Sequence, residues 1–212
     1  MNKTLIYVHD PMCSWCWGFE PVRQKLFASL DSSVNIKRFV GGLAPDSDEP
    51  MPKDMQNMLK DTWQRIEQNI PGTLFNFDFW TKCQPRRSTY PSNRAIIAAR
   101  QQGIEYDEQI THLIQKAYYS QARNPSNESL LIELAAELSK TSNFNCEQFI
   151  NDLGSKEVQA LFEQELDYTR SLGVNGFPSL VYQSGNKLYS IGLDYNNADN
   201  MLAQIKQIDA LS

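Results

Sequence analysis

Cys13-Ser14-Trp15-Cys16 follows a short apolar run, Leu5-Ile6-Tyr7-Val8, and precedes a segment able to begin a helix. Two cysteines separated by two residues at a strand-to-helix junction form a dithiol that can close to a disulfide and reopen. At the helix start, free backbone N–H groups and the positive end of the helix dipole stabilise a thiolate on Cys13. Cys16, one turn further in, is placed to attack any mixed disulfide that Cys13 makes. The same spacing also occurs in zinc sites and in pairs of inert buried thiols. A structural zinc wants four ligands, and the remaining cysteines and histidines, Cys83, Cys146, His9 and His112, stand isolated, so no metal is expected. Cys83 and Cys146 read as small buried or half-buried side chains.

Composition narrows the class. The 212 residues suit one domain with a large insertion, or two small domains, and are enough for a real core. With 41% hydrophobic and 21% charged residues, the chain reads as an ordinary soluble globular protein. A net charge of −5 gives no reason to expect nucleic acid or an anionic membrane as partner. The apolar run near Met1 is too short for a signal-peptide core, and no stretch reaches the 18 or so apolar residues of a membrane span. A reducing cytoplasm is therefore the expected compartment, where a Cys-x-x-Cys is more often catalytic than a static cross-link.

Along the chain the order is β-α-β, a long helical stretch, then β-β-α. Residues 4–9 form a continuous apolar run and predict a buried strand. Residues 14–30 predict a helix carrying Pro21, which should kink it. A second strand covers 34–40 and ends at Gly41-Gly42. The polar, proline-rich stretch 45–52 reads as a linker. Helical periodicity then runs to about 153, with Ile110, Leu113, Ile114, Ala117 and Tyr118 on one face and Leu130, Leu131, Leu134, Ala135 and Leu138 on another. The aromatic run 75–80 interrupts it and reads first as packing between the two parts. A helix over 158–172 stops at Gly173. Strands at 179–183 and 188–191 are joined through Ser184-Gly185-Asn186, a hairpin signal. A closing helix carries Ala198, Met201, Leu202, Ile205 and Ile208 on one face.

This order, with a Cys-x-x-Cys opening the first helix, resembles the thioredoxin fold in its DsbA-like form, an α/β fold with a large all-helical insertion. Three local features carry the resemblance: Cys13-Ser14-Trp15-Cys16 with Trp17-Gly18 after it, Pro21 within the active-site helix, and Val174-Asn175-Gly176-Phe177-Pro178 just before the third strand. The string from Asp10 to Gly18 is similar to a cytoplasmic bacterial branch of DsbA-family predicted disulfide isomerases, near the FrnE-like proteins. The resemblance implies a discontinuous thioredoxin-like domain over 1–44 and 154–212, with a helical insertion over 45–153 beside the active-site end of the sheet. It implies a thiol–disulfide oxidoreductase or isomerase acting on cysteine-containing protein substrates, with glutathione or a thioredoxin-type partner as electron donor or acceptor and no other cofactor.

Roles follow residue by residue. Cys13, expected to be exposed, is the attacking nucleophile, and Cys16 resolves the mixed disulfide. Pro178, a cis-proline in the family, would face the dithiol, and the backbone of Phe177 would pair with an extended substrate. Ser14 and Trp15 lie between the cysteines. Trp15 reads as an apolar platform for substrate, Trp17 as core. Many thioredoxin-like enzymes carry a buried acid six residues before the first cysteine. Tyr7 stands there in this chain. Asp10 and His9 are the nearest titratable groups, and Asp10 can cap either the helix or the turn before it. Two other functions share the scaffold: glutathione-dependent enzymes of the kappa-class transferase or chromene-carboxylate isomerase type, and non-enzymatic adaptors that deliver clients to proteases. The paired cysteines argue against the first, whose members generally engage glutathione with one serine or cysteine.

Overall fold

A computed structural model describes residues 3–211. Among them are β1 (Lys3–His9), α1 (Ser14–Ala28), β2 (Val34–Val40), α2 (Lys53–Asn69), α3 (Phe79–Lys82), α4 (Tyr90–Arg100), α5 (Ile104–Tyr119), α6 (Glu128–Ser139), α7 (Cys146–Leu153), α8 (Lys156–Ser171), β3 (Ser179–Ser184), β4 (Lys187–Ile191) and α9 (Ala198–Ala210). The expected β-α-β … β-β-α order is observed. The first helix ends two residues earlier than its periodicity predicts and runs on through Pro21. The aromatic run 75–80 is not wholly non-helical, since its last two residues open the short α3. No described helix is long and apolar enough to cross a membrane.

The sheet order is β2-β1-β3-β4. β1 pairs parallel with β2, which requires the α1 crossover, and antiparallel with β3. The β3–β4 hairpin turns at Gly185, whose φ of +58° suits a residue without a side chain. β1 is central, so both its faces are covered, which is why its sequence is a continuous apolar run. One face sets Leu5, Tyr7, Leu180 and Tyr182 against Phe19, Val22 and Leu26 of α1 and Met201 and Ile205 of α9. The other sets Ile6, Val8 and Val181 against Leu172, Val174 and Phe177. Each large apolar side chain sealed this way contributes about 1.5–3 kcal/mol.

The helices between β2 and β3 build two further cores. Ala95 to Ala99 of α4 pack with Ile110 and Ile114 of α5, Leu131 and Leu134 of α6, Phe149 of α7 and Phe162 of α8, and Val40 at the end of β2 joins the same cluster. The second core gathers Ile66, Phe75, Phe79, Trp80, Tyr118 and Tyr119 around Trp63. Met12, Trp15 and Trp17 lean on it, so the aromatic run packs directly beneath the Cys-x-x-Cys turn.

A largely buried ion cluster stitches these layers together. Asp107 pairs with Arg38 and Arg100, both at 2.6 Å, while Arg23 pairs with Glu20 and Glu108. Glu165 pairs with Arg100 and accepts a hydrogen bond from the Val40 N–H. The cluster thus joins α1 and β2 to α4, α5 and α8. Arg23 and Arg38 each lie 5.8 Å from the Tyr7 ring, so the position that often holds a buried acid faces cations here.

Candidate active site

The end of β1 leads into a turn over residues 10–13 that holds the dithiol. The Asp10 carbonyl accepts the Cys13 N–H at 3.0 Å, and Cys13 is the N-cap residue of α1. The Asp10 carboxylate does not cap the helix. Its Oδ1 accepts the Met12 N–H at 2.8 Å, closing the turn before it, and its Oδ2 accepts the Leu43 N–H, the Thr89 hydroxyl and the Asn93 amide at 2.7, 2.7 and 2.8 Å. One buried carboxylate therefore fastens the Cys13 turn to the loop after β2 and to the start of α4. Burial pushes the Asp10 carboxyl up, and its four hydrogen bonds offset only part of that rise.

The two thiols differ. Cys16 is fully buried in the first turn of α1, and burial pushes its thiol well above the ordinary range. A hydrogen bond with Cys13, and the charge Cys13 can carry, push it the same way. Cys13 was expected to be exposed, and this is corrected: it is only 7% exposed. The reason is the segment before β3, which crosses in front of it. The Cys13 thiol donates to the Phe177 carbonyl at 3.2 Å. The pairing of Val8 with Ser179 brings Phe177 and Pro178 beside the end of β1, and the Phe177–Pro178 bond is cis. The Phe177 ring lies where a Cβ on Gly41 would be, 2.0 Å from its nearest atom, so the glycine after β2 lets that ring seat.

Ser14, first residue of α1, is buried. Trp15 is half-buried, edge-on to Tyr195 at 5.2 Å, with the Arg65 guanidinium 5.7 Å from its ring. Trp17 stacks on Tyr119 at 5.6 Å and donates its indole N–H to the Leu74 carbonyl. The Tyr119 hydroxyl is buried without a hydrogen-bond partner among the described residues. Burial pushes it far up, and Tyr118, Cys13, Cys16 and Asp10 add to the shift, which puts it in the electrostatic reach of the dithiol. The structure thus gathers Cys13, Cys16, Ser14, Trp15, Asp10, Phe177 and Pro178 around one turn. Sequence reasoning missed Leu43, Thr89, Asn93, Tyr119 and Tyr195, none of which stands in a local motif. Cys83 and Cys146 are half-buried, and Cys83 donates to the Ala122 carbonyl away from the turn. No three His, Cys, Asp or Glu side chains among the described residues are arranged to hold a metal.

His9, last residue of β1, stacks on Tyr7 at 4.9 Å, and its Nε2 has no hydrogen-bond partner among the described residues. Burial first, then Arg38, Arg23 and Arg100, hold its imidazole well below the ordinary 6.5, so it is neutral in the fold. The unfolded chain takes up this proton as pH falls below about 6.5, while the folded chain does not. Stability from His9 is present above that value and lost as pH falls towards the lowered one, at up to about 1.4 kcal/mol per pH unit. Urea unfolding between about pH 6.5 and 5 should therefore be steeper in pH for the wild type than for His9→Phe, which keeps the stack on Tyr7. Parallel curves would show that His9 is not the group responsible.

Comparison with known proteins agrees on the fold and divides on the role. A family model described as Thioredoxin matches residues 6–204. The chain is 28% identical over 179 residues to the ClpXP adapter protein SpxH of Bacillus cereus, covering 84% of this chain and 58% of that protein. The chain thus spans less than two thirds of the length of the curated relatives it matches. Its fold is similar to a Nitrosomonas europaea protein designated a candidate disulfide isomerase, with TM-score 0.84, 23% identity, and coverage of 98% of this chain and 97% of that one. It is also similar to the cytosolic disulfide reductase DsbM from Pseudomonas aeruginosa, with TM-score 0.74, 25% identity, and coverage of 99% and 100%.

Proposed function

Because the chain belongs to the thioredoxin family, we propose that it is a thiol–disulfide oxidoreductase acting on protein cysteines in the cytoplasm through Cys13 and Cys16. The observation that carries this reading is the inequality of the two thiols. Cys16 is sealed and held protonated, while Cys13 stands at the helix start and donates to the Phe177 carbonyl. Likeness to a cytosolic disulfide reductase supports both the activity and the compartment.

In the reductive direction, the Cys13 thiolate attacks one sulfur of a substrate disulfide. A Cys13–substrate S–S bond forms, the substrate S–S bond breaks, and the first substrate sulfur leaves and takes up a proton. Cys16 then gives up its proton and attacks the Cys13 sulfur, releasing the second substrate sulfur, which is protonated in turn. Two electrons and two protons have passed to the substrate, leaving a Cys13–Cys16 disulfide. Glutathione or a thioredoxin-type partner resets the pair, and the same steps in reverse oxidise a substrate dithiol. Since burial holds Cys16 protonated, resolution should quicken as pH rises. In this reading the helical segment 45–153 is the recognition unit, held against the dithiol turn through Thr89, Asn93 and the Trp63 cluster.

The names of the curated relatives favour a second reading, a protease adaptor that binds a client without chemistry. Brief alkylation of the reduced protein, followed by a protein-disulfide reduction assay, separates the two. The oxidoreductase reading expects Cys13 to be modified well before Cys16, Cys83 or Cys146, and reduction to vanish with it. Equal labelling of all four cysteines, or a wild type without exchange activity that still holds a client after both cysteines become serine, favours the adaptor.

A further inference from the structure

Seven of the nine arginines, at 23, 38, 86, 94, 100, 123 and 170, are tied to a carboxylate of the chain. Arg65 is not, and among the described residues its guanidinium has neither an ion pair nor a hydrogen-bond acceptor. It is exposed, yet it is not far from the chemistry, for it lies 5.7 Å from the ring of Trp15, the residue between Ser14 and Cys16. The packing beneath explains how it gets there. α2 approaches α1 at Gly18, where a Cβ would come within 2.8 Å of Ile70 and 3.0 Å of Ile66. That close approach sets Arg65, the residue before Ile66, above the first turn of α1.

Trp15 also packs edge-on against Tyr195, which is half-buried and lies within the electrostatic reach of both cysteines. Asp194, the acid beside it in sequence, is engaged by the N–H groups of Asn196 and Asn197 and the Asn200 amide. Glu67, two residues beyond Arg65, accepts the Phe75 N–H, and Glu20 is taken by Arg23. Asp61, one helical turn before Arg65 and on the same groove, forms no ion pair with it among the described residues, so the rim's cation is unpaired on a chain of net charge −5.

We propose that Arg65, laid on Trp15, is an anion-recognising subsite beside Cys13, selecting thiols and disulfides that carry a carboxylate close to the reacting sulfur. The proposal rests on the oxidoreductase reading above. The guanidinium supplies a fork of donors for a carboxylate, and the indole face keeps it oriented while leaving those donors free. Two sources offer this chemistry: small peptide thiols with free carboxylates, and protein cysteines flanked by Asp or Glu.

The test uses the reduced full chain and three small disulfides: anionic dithiodipropionate, neutral bis(2-hydroxyethyl) disulfide and cationic cystamine. The wild type should reduce the anionic compound fastest. Arg65→Gln should lower that rate roughly five-fold while leaving the neutral compound unchanged, and Arg65→Glu should favour cystamine. The wild-type preference should fade in roughly 1 M salt, where charges more than about 3 Å apart are screened. An unchanged ratio of anionic to neutral rates in Arg65→Gln would overturn the subsite. A wild type that reduces none of the three would instead overturn the oxidoreductase reading. Disulfide peptides flanked by Glu or by Lys then separate the sources. Discrimination in the peptides as well assigns the site to acidic client segments, and discrimination confined to small compounds assigns it to small thiols.

Discussion

Replacing Cys13 with serine is expected to lower disulfide exchange by at least about 10³-fold, the scale on which loss of a catalytic nucleophile is felt. Neither Cys16 nor Cys83 can take its place. Cys16 is fully buried one turn further along α1, and burial together with its hydrogen bond to Cys13 keeps it protonated. Cys83 donates to the Ala122 carbonyl, and burial pushes its thiol up as well. Cys16→Ser should behave differently. Its Cys13 still attacks, but nothing resolves the product, so mixed disulfides with clients accumulate and appear on non-reducing gels. Cys13→Ser should accumulate few. If the two variants trap clients equally, the assignment of attacker and resolver fails.

Asp10→Ala should be among the most destabilising single substitutions in the chain, by about 3 kcal/mol or more, measured by urea unfolding at neutral pH with an unchanged slope. Four donors converge on this buried carboxylate: the Met12 and Leu43 N–H groups, the Thr89 hydroxyl and the Asn93 amide. Thr89 can still donate to the Ala44 carbonyl and Asn93 to the Thr89 carbonyl, but the Met12 and Leu43 N–H groups lose their acceptor, at about 1–3 kcal/mol each before relaxation. Asp10→Asn should lose less, because one amide oxygen still accepts while its NH₂ faces a donor. A loss below about 1 kcal/mol for the alanine variant would mean the network is not held together through Asp10. The same variant should slow exchange in the molecules that remain folded, since the Asp10 carbonyl and carboxylate together shape the Cys13 turn.

What could be read from the sequence was local. The apolar run of β1 is continuous because the strand is central, and the Cys-x-x-Cys follows it at a junction where only a turn fits. The helical faces at 110–118 and 130–138 bury as their spacing requires. The residues that complete the site could not be read this way. Thr89 and Asn93 lie 79 and 83 residues from Asp10, at the start of a helix whose relation to the turn is set by packing alone. The burial of Cys13 is invisible locally for the same reason, since the segment that covers it comes 164 residues later. Asp10 had two local readings, helix cap and turn closure, and only the tertiary partners decide for the turn. The chemistry-bearing cysteines were legible because their partnership is four residues long.

The account rests on Cys13 and Cys16 forming a reversible disulfide, and a redox titration measures this directly. The protein, with Cys83 and Cys146 changed to serine, is equilibrated across a series of thiol–disulfide buffers, and the fraction of Cys13–Cys16 disulfide is read by mass after acid quench and alkylation. The predicted result is one reversible two-electron transition, lost when either cysteine becomes serine. A protein that stays dithiol in the most oxidising buffer, or that oxidises only by joining two chains, would contradict it.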